Sequence, residues 1–207
     1  MGPKGDRMKR LVRDRFVWLC TLSALVVWSA NCQPTDPSVA AGDTQATSES
    51  GVLDAVERIS LEPTLVVLVR HAEKVDDSRD PDLSTEGLAR SAQLAEMLED
   101  LEFDHVWSTD FKRTRDTAAP TAQGATLTTE LYDPGDLASV ATHLTNIGGR
   151  HLVVGHSNTT PQLVAALGGD PGTPIDDAEY DRLYVVTVGS DGTATTVLLR
   201  FGVPFGG

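Results

Sequence analysis

Two apolar runs in this chain each end in a histidine. Leu65-Val66-Val67-Leu68-Val69 leads into Arg70-His71-Ala72-Glu73-Lys74, and Leu152-Val153-Val154 leads into Gly155-His156. A neutral imidazole is a nucleophile and a proton carrier near physiological pH. A guanidinium grips oxyanions through paired N–H donors better than an ammonium does. If both runs are strands of an open α/β sheet, the two histidines and Arg70 stand beyond the carboxyl ends of the strands, where such sheets bind ligands. That is a nucleophile with cationic partners, and it suits an anion.

Such a site needs a sheet, and the pattern from about Thr64 onward supplies one. Short apolar runs alternate with longer amphipathic ones, as in a mostly parallel sheet covered by helices. After the first strand, a loop through Asp76, Asp77, Arg79, Asp80 and Pro81 leads to a helix start with Ser84 or Thr85 as its cap. Leu88, Ala92, Ala95, Leu98 and Leu101 recur at helical spacing and predict the face that packs on the sheet. A strand over His105–Ser108 runs into Thr109-Asp110-Phe111-Lys112-Arg113-Thr114-Arg115, read as a loop entering a helix, with Asp110 placed to suit the helix dipole. A weak strand is predicted near Thr126–Thr129, a helix over Leu137–Asn146 stopped by Gly148-Gly149, and a strand over His151–Val154. A helix from Pro161 to Leu167 ends at Gly168-Gly169. Leu183–Val188 and Thr193–Arg200 flank the turn Ser190-Asp191-Gly192 and read as a hairpin.

The N-terminal part has a different character. Lys4, Arg7, Lys9, Arg10, Arg13 and Arg15 precede the apolar stretch Phe16–Ala30, a basic region and short hydrophobic segment of the kind that directs export. The stretch falls short of the roughly 20 residues a spanning helix requires. Asn31-Cys32 follows, in a context that partly resembles a bacterial lipobox, so lipid on Cys32 is one expected fate and ordinary cleavage another. Residues 33–51, rich in Pro, Ser, Thr, Asp and Ala, read as a disordered tether, and residues 52–207 as the folded domain. The only cysteines, Cys20 and Cys32, lie in the leader. The domain therefore has no cysteine nucleophile, disulfide or thiolate metal site. The first 32 residues hold six of the 17 basic groups and two of the 30 acidic ones, which leaves the remainder near −17. A surface of that charge repels nucleic acid, and an anion site on it must be a local cluster of arginines.

Arg70-His71-Ala72-Glu73 after a strand, Ser108-Thr109-Asp110-Phe111-Lys112-Arg113 with Thr117-Ala118 behind it, and Gly155-His156-Ser157 after a late strand together resemble the histidine phosphatase superfamily, branch 1. The three motifs occur in that family's order. The resemblance implies a phosphoglycerate mutase-like, three-layer α/β/α sandwich and a short, lid-poor phosphatase. It implies His71 as the nucleophile that forms a phosphohistidine, Arg70 and Arg113 as the grip on the phosphoryl oxygens, and His156 as the group completing that cage. No cofactor and no metal is called for, since the chemistry is chiefly positioning and electrostatic stabilisation. The expected partner is a phosphorylated small molecule or a phosphoprotein. The membrane enters only through an N-terminal anchor.

In many members a glutamate after the third strand protonates the leaving oxygen. The corresponding segment here is Thr128-Thr129-Glu130-Leu131-Tyr132-Asp133-Pro134. Glu130 and Asp133 are both candidates, with Asp133 better placed for the sheet crest. Asp76 and Asp77, in the loop after His71, are further candidates but read first as solvated loop residues, as Arg115 reads as surface. His105, His143 and His151 fall inside elements and read as structural. Three other functions fit the sequence less well. A serine hydrolase fits Gly155-His156-Ser157-Asn158-Thr159 poorly, because Thr159 stands where the second glycine of the elbow belongs and no histidine follows Ser157. A non-catalytic phospho-ligand module would be expected to lose one of the four site residues. A mutase-like phosphotransferase needs lid segments that these short loops do not supply.

Overall fold

A computed structural model describes residues 62–206. The predicted export leader with Cys20 and Cys32, the predicted tether and the first residues of the predicted domain lie outside the described residues. The elements run β1 (Thr64–Arg70), α1 (Thr85–Met97), β2 (His105–Ser108), α2 (Lys112–Gly124), β3 (Thr129–Leu131), α3 (Leu137–Ile147), β4 (Arg150–Gly155), α4 (Thr159–Ala166), β5 (Arg182–Val188) and β6 (Ala194–Arg200). They form one six-stranded sheet in the order β3-β2-β4-β1-β5-β6. β3, β2, β4 and β1 pair in parallel, whereas β5 and β6 close one side antiparallel.

β1 is an unbroken apolar run because both its faces are covered. Val66 and Leu68 pack with Trp107, Leu144, Val153 and Leu163 beneath α3 and α4. Val67 and Val69 pack with Leu94, Val106, Ala118 and Leu152 beneath α1 and α2. Each such side chain, fully buried, contributes about 1.5–3 kcal/mol. The result is a three-layer α/β/α sandwich, as the motifs imply.

Two details depart from the sequence reading. α1 begins at Ser84, whose hydroxyl caps the Gly87 N–H, but its buried face is Gly87, Arg90, Ser91 and Leu94 with Leu98 just beyond, while Leu88 and Ala92 are exposed. The apolar spacing pointed one step around the helix because Arg90, counted as polar, is buried by its partners. Its guanidinium donates to both oxygens of Glu73 at 2.7–3.0 Å and to the Phe201 carbonyl at 2.8 Å. Gly87 admits no side chain, since a Cβ would collide with the Glu73 carbonyl. The second departure is the third strand. Thr126 takes the left-handed conformation at φ 59°, which no strand residue adopts, so β3 starts only at Thr129. Asp110, two residues ahead of α2, pairs through its carboxylate with Arg115, and Phe111 holds the cap position without a side-chain hydrogen bond.

Candidate active site

His71 is the residue after β1 and His156 the residue after β4. These strands are neighbours, parallel, with Arg70 opposite Gly155. The register therefore sets the two imidazoles side by side, ring centroids 5.5 Å apart and planes at 68°. The His71 N–H donates to the Gly155 carbonyl at 2.9 Å, carrying the pairing one step past the strands.

His71 is buried, and its Nδ1 lies 2.8 Å from the Ala72 carbonyl oxygen. A carbonyl can only accept, so Nδ1 carries the proton and Nε2 keeps a free lone pair. Burial pushes the His71 pKa down to about 3; Arg70, His156 and Arg113 add to that, and the Ala72 hydrogen bond opposes it. The ring is neutral at neutral pH, as an attacking nitrogen must be. The Ala72 N–H donates to Thr117 Oγ1, whose hydroxyl donates to the Arg113 carbonyl, so the loop that carries His71 is fastened to α2.

Arg70 is buried and held from the side of the β5 approach. Its Nη1 donates to the carbonyls of Asp176 and Glu179 at 2.9 Å each, and its guanidinium lies 4.1 Å over the Tyr180 ring. Its buried Nε has no partner among the described residues. An unpaired buried donor costs about 1–3 kcal/mol, and a phosphoryl oxygen would satisfy it. The loop carrying those carbonyls is itself locked. Glu179, almost wholly buried, accepts from Arg182 Nε at 2.6 Å and from Arg200 Nη1 at 2.5 Å, and hydrogen bonds from these two arginines hold its carboxyl down at about 2 against the effect of burial.

Arg113 stands in the first turn of α2, over the Phe111 ring at 4.4 Å, with Nη2 3.4 Å from His156 Nδ1. Its link to Asp80 is long, 3.9 Å. The other nitrogen of His156, Nε2, lies 3.0 Å from Thr109 Oγ1, and its backbone N–H donates to Thr159 Oγ1. Burial, then Arg113 and Arg70, push the His156 pKa down to about 4. Arg70, His71, Arg113 and His156 all face one cavity of about 570 Å³, with Lys74 and Asp177 also on its wall. Among the described residues no three His, Cys, Asp or Glu side chains gather so as to hold a metal ion.

The two carboxylates looked to as the acid do not reach this cavity. Glu130 turns away to His105, 2.7 Å from its Nδ1. Asp133 is exposed and its Oδ1 accepts the Gly135 N–H inside its own turn at 2.8 Å, although Pro134 and Gly135 line the cavity. Among the described residues Asp177 is the acidic side chain on the cavity wall. Asp77 is bound to Lys74 at the surface, and Arg115, half-buried, pairs with Asp110 outside the cavity. His105, His143 and His151 gather around Trp107, away from the cavity. Sequence reading missed Asp177, Tyr180 and Thr109. The first two sit in an aperiodic loop, and only the antiparallel direction of β5 brings that loop to the crest. Thr109 lies inside a quoted motif, but a hydroxyl's partner has no periodicity to betray it.

A parallel-centred α/β/α sandwich with a histidine and an arginine at the exit of one central strand and a histidine at the next defines the phosphoglycerate mutase-like class. Residues 66–133 match the model of the histidine phosphatase superfamily (branch 1). The matched stretch holds Arg70, His71 and Arg113 and ends before His156. No curated protein matches the chain. Among solved structures it is similar to the protein histidine phosphatase SixA complexed with tungstate, at 23% identity and TM-score 0.56, covering 66% of this chain and 96% of that one. It is similar to a putative alpha-ribazole-5'-P phosphatase from Escherichia coli K-12, at 15% identity and TM-score 0.57, covering 68% and 98%. It is also similar to a phosphoglycerate mutase from Bacillus anthracis, at 14% identity and TM-score 0.54, covering 69% and 95%. At these identities the likeness establishes the fold.

Proposed function

We propose that the protein is a metal-independent phosphatase that hydrolyses phosphate monoesters or phosphoamidates through a phosphohistidine on His71. The observation that carries this reading is the bare Nε2 of a neutral, buried His71 facing a cavity whose other walls are Arg70, Arg113 and His156. Nε2 attacks phosphorus in line with the leaving group. The two guanidiniums balance the charge spread over the equatorial oxygens, a role worth most where water is excluded. Water then attacks the phosphohistidine, and the ring is returned neutral. A second groove of about 430 Å³ adjoins the cavity at Ser157 and Asn158 and is walled by uncharged residues such as Pro161, Gln162 and Ile175. It gives a bulky, uncharged leaving group room to lie. Similarity to a protein histidine phosphatase supports phosphoamidates among the substrates.

The purified domain should hydrolyse an aryl phosphate in excess EDTA and take up acid-labile phosphate. His71→Ala should abolish both. Activity lost in EDTA and restored by a divalent ion, or retained by His71→Ala, would overturn the mechanism.

The basic leader and Cys32 support an exported protein held at a bacterial cell envelope by lipid on Cys32. Two acyl chains, at about 0.8 kcal/mol per buried methylene, suffice for stable anchoring. Mass spectrometry of the mature amino terminus decides: an acylated Cys32 is expected, and a soluble protein beginning at residue 33 or later would refute the anchor while leaving the phosphatase reading intact.

A further inference from the structure

The hydrogen bonds around His156 have a direction, and it can be read from both ends. At the far end Thr114 Oγ1 donates to a backbone carbonyl, Phe111 O at 2.9 Å or Thr109 O at 3.0 Å. That uses its single proton, so across its 2.9 Å contact with Thr109 Oγ1 it accepts. Thr109 thereby spends its own proton on Thr114, and towards His156 Nε2, 3.0 Å away, Thr109 also accepts. Nε2 must carry a proton. At the near end His156 Nδ1 faces Arg113 Nη2 at 3.4 Å. A guanidinium only donates, so Nδ1 must be bare. The two ends agree: His156 rests as the neutral Nε2–H tautomer.

A bound phosphoryl group reverses what Nδ1 faces. Arg113, loosely held, turns its N–H groups to the anion's oxygens, and a bare nitrogen lone pair would then confront an oxyanion. The ring cannot pass its Nε2 proton across, because Thr109 holds it. The remaining solution is a second proton. We propose that binding of a phosphoryl dianion in this cavity takes up one proton from solvent at Nδ1 of His156, and that Thr109 is the positioning residue that makes Nδ1 the atom to receive it. The proposal rests on the phosphatase reading of the site and deepens it, since it makes the proton on His156 part of substrate recognition. The groups that face this ring are Arg70 and His71 from the end of β1, Arg113 from α2, Thr109 and Phe111 from the loop between β2 and α2, and Thr159 from α4; Lys74 and Asp177 stand on the wall of the same cavity, and Tyr180 lies against His71. The cations among them keep Nδ1 bare in the empty site, and the dianion offsets them.

Sulfate is a suitable probe, because it remains a dianion throughout the working range and brings no proton of its own. Calorimetric titration of the full chain with sulfate, in buffers of different ionisation enthalpy, counts protons taken up. By linkage, one proton per site makes the dissociation constant rise about tenfold per pH unit between pH 6 and 7.5. Wild type should take up close to one proton and His156→Gln close to none. Thr109→Val frees the ring to bind as a neutral Nδ1–H tautomer, so uptake should fall below half, and Thr109→Ser should restore it. Nitrogen-15 spectra of the histidines, with His156 assigned by difference from His156→Gln, should show Nε2–H without sulfate and both nitrogens protonated with it. This measurement on wild type decides even if Thr109→Val fails to fold. Sulfate binding without proton uptake, equal uptake in His156→Gln, or an Nδ1–H tautomer in the empty site would overturn the proposal and leave the phosphatase reading standing. Sulfate that neither binds nor competes with an aryl phosphate would overturn both.

Discussion

His71 and His156 are the same side chain put to different uses by what their second nitrogens meet. On His71 the Ala72 carbonyl claims the Nδ1 proton and leaves Nε2 bare, as the proposed attack requires; on His156 the Thr109 hydroxyl lies against Nε2 and leaves Nδ1 facing Arg113. Burial keeps both neutral in the empty site. Asp177 is the carboxyl on the cavity wall, and in the proposed reaction it is the group placed to protonate the leaving oxygen. General acid assistance is worth about 10²–10⁴ in rate, and it matters most when the departing oxygen is basic. Asp177→Asn should therefore slow an alkyl phosphate by that factor while changing an aryl phosphate only a few-fold. Asp133→Asn, altering a group bound to its own loop, should leave the ratio of the two rates unchanged. Steady-state kinetics on the paired substrates checks this. A ratio that moves with Asp133 and not with Asp177 would return the acid to the segment the family pattern points to.

At the scale of elements, what the chain discloses depends on whether a residue's burial is caused by its own polarity or by a distant partner. β1, β4 and the β5–β6 hairpin are legible because apolar runs and a turn cause them directly, and the strand-end residues Arg70, His71 and His156 come with them. Arg113 is legible only through its motif. The face of α1 is not legible, because Arg90 is buried by Glu73 from another loop and by carbonyls of the C-terminal segment. The start of β3 is hidden behind a left-handed Thr126, a conformation that threonine's sequence context does not announce. α2 continues through Pro120, a residue that ordinarily costs about 3 kcal/mol in a helix interior, because its Ala118 and Ala122 are packed into the core. The corrected face of α1 makes a sharp prediction. Leu94→Ala should destabilise by about 2–5 kcal/mol, whereas Leu88→Ala, at an exposed position, should stay within about 0.5 kcal/mol. Urea unfolding of the two variants separates them, and equal losses would restore the face that the apolar spacing suggested.

For the whole molecule, acid stability is set by histidines that folding holds neutral, opposed by a surface rich in carboxylates whose mutual repulsion eases as they protonate. His151 isolates the first effect because it lies fully buried at the end of the sheet away from the cavity. Its Nδ1 accepts from Trp107 Nε1 at 3.2 Å and its Nε2 donates to the Gly148 carbonyl at 2.8 Å, so a second proton would have to displace the indole N–H. Burial above all, with His105 adding, pushes its pKa down to about 4; the Gly148 bond, Asp104 and Glu130 pull the other way. In the unfolded chain the ring protonates as pH falls through about 6.5, and in the folded protein only near 4. Between those values the unfolded state binds more protons, so the contribution of His151 is whole above about pH 6.5 and is lost as pH falls toward 4, by up to about 1.4 kcal/mol per pH unit. His151→Gln removes this titration while leaving the surface carboxylates as they were. At pH 7.5 the variant should be the less stable, having lost a buried pair of hydrogen bonds worth about 1–3 kcal/mol. As the pH is lowered from 6.5 to 4 the gap in urea midpoint should close and then reverse, because wild type alone must hold a proton off. A gap that stays constant across that window would mean that His151 accepts a proton in the folded protein as readily as in the unfolded one, and that Trp107 does not donate to it.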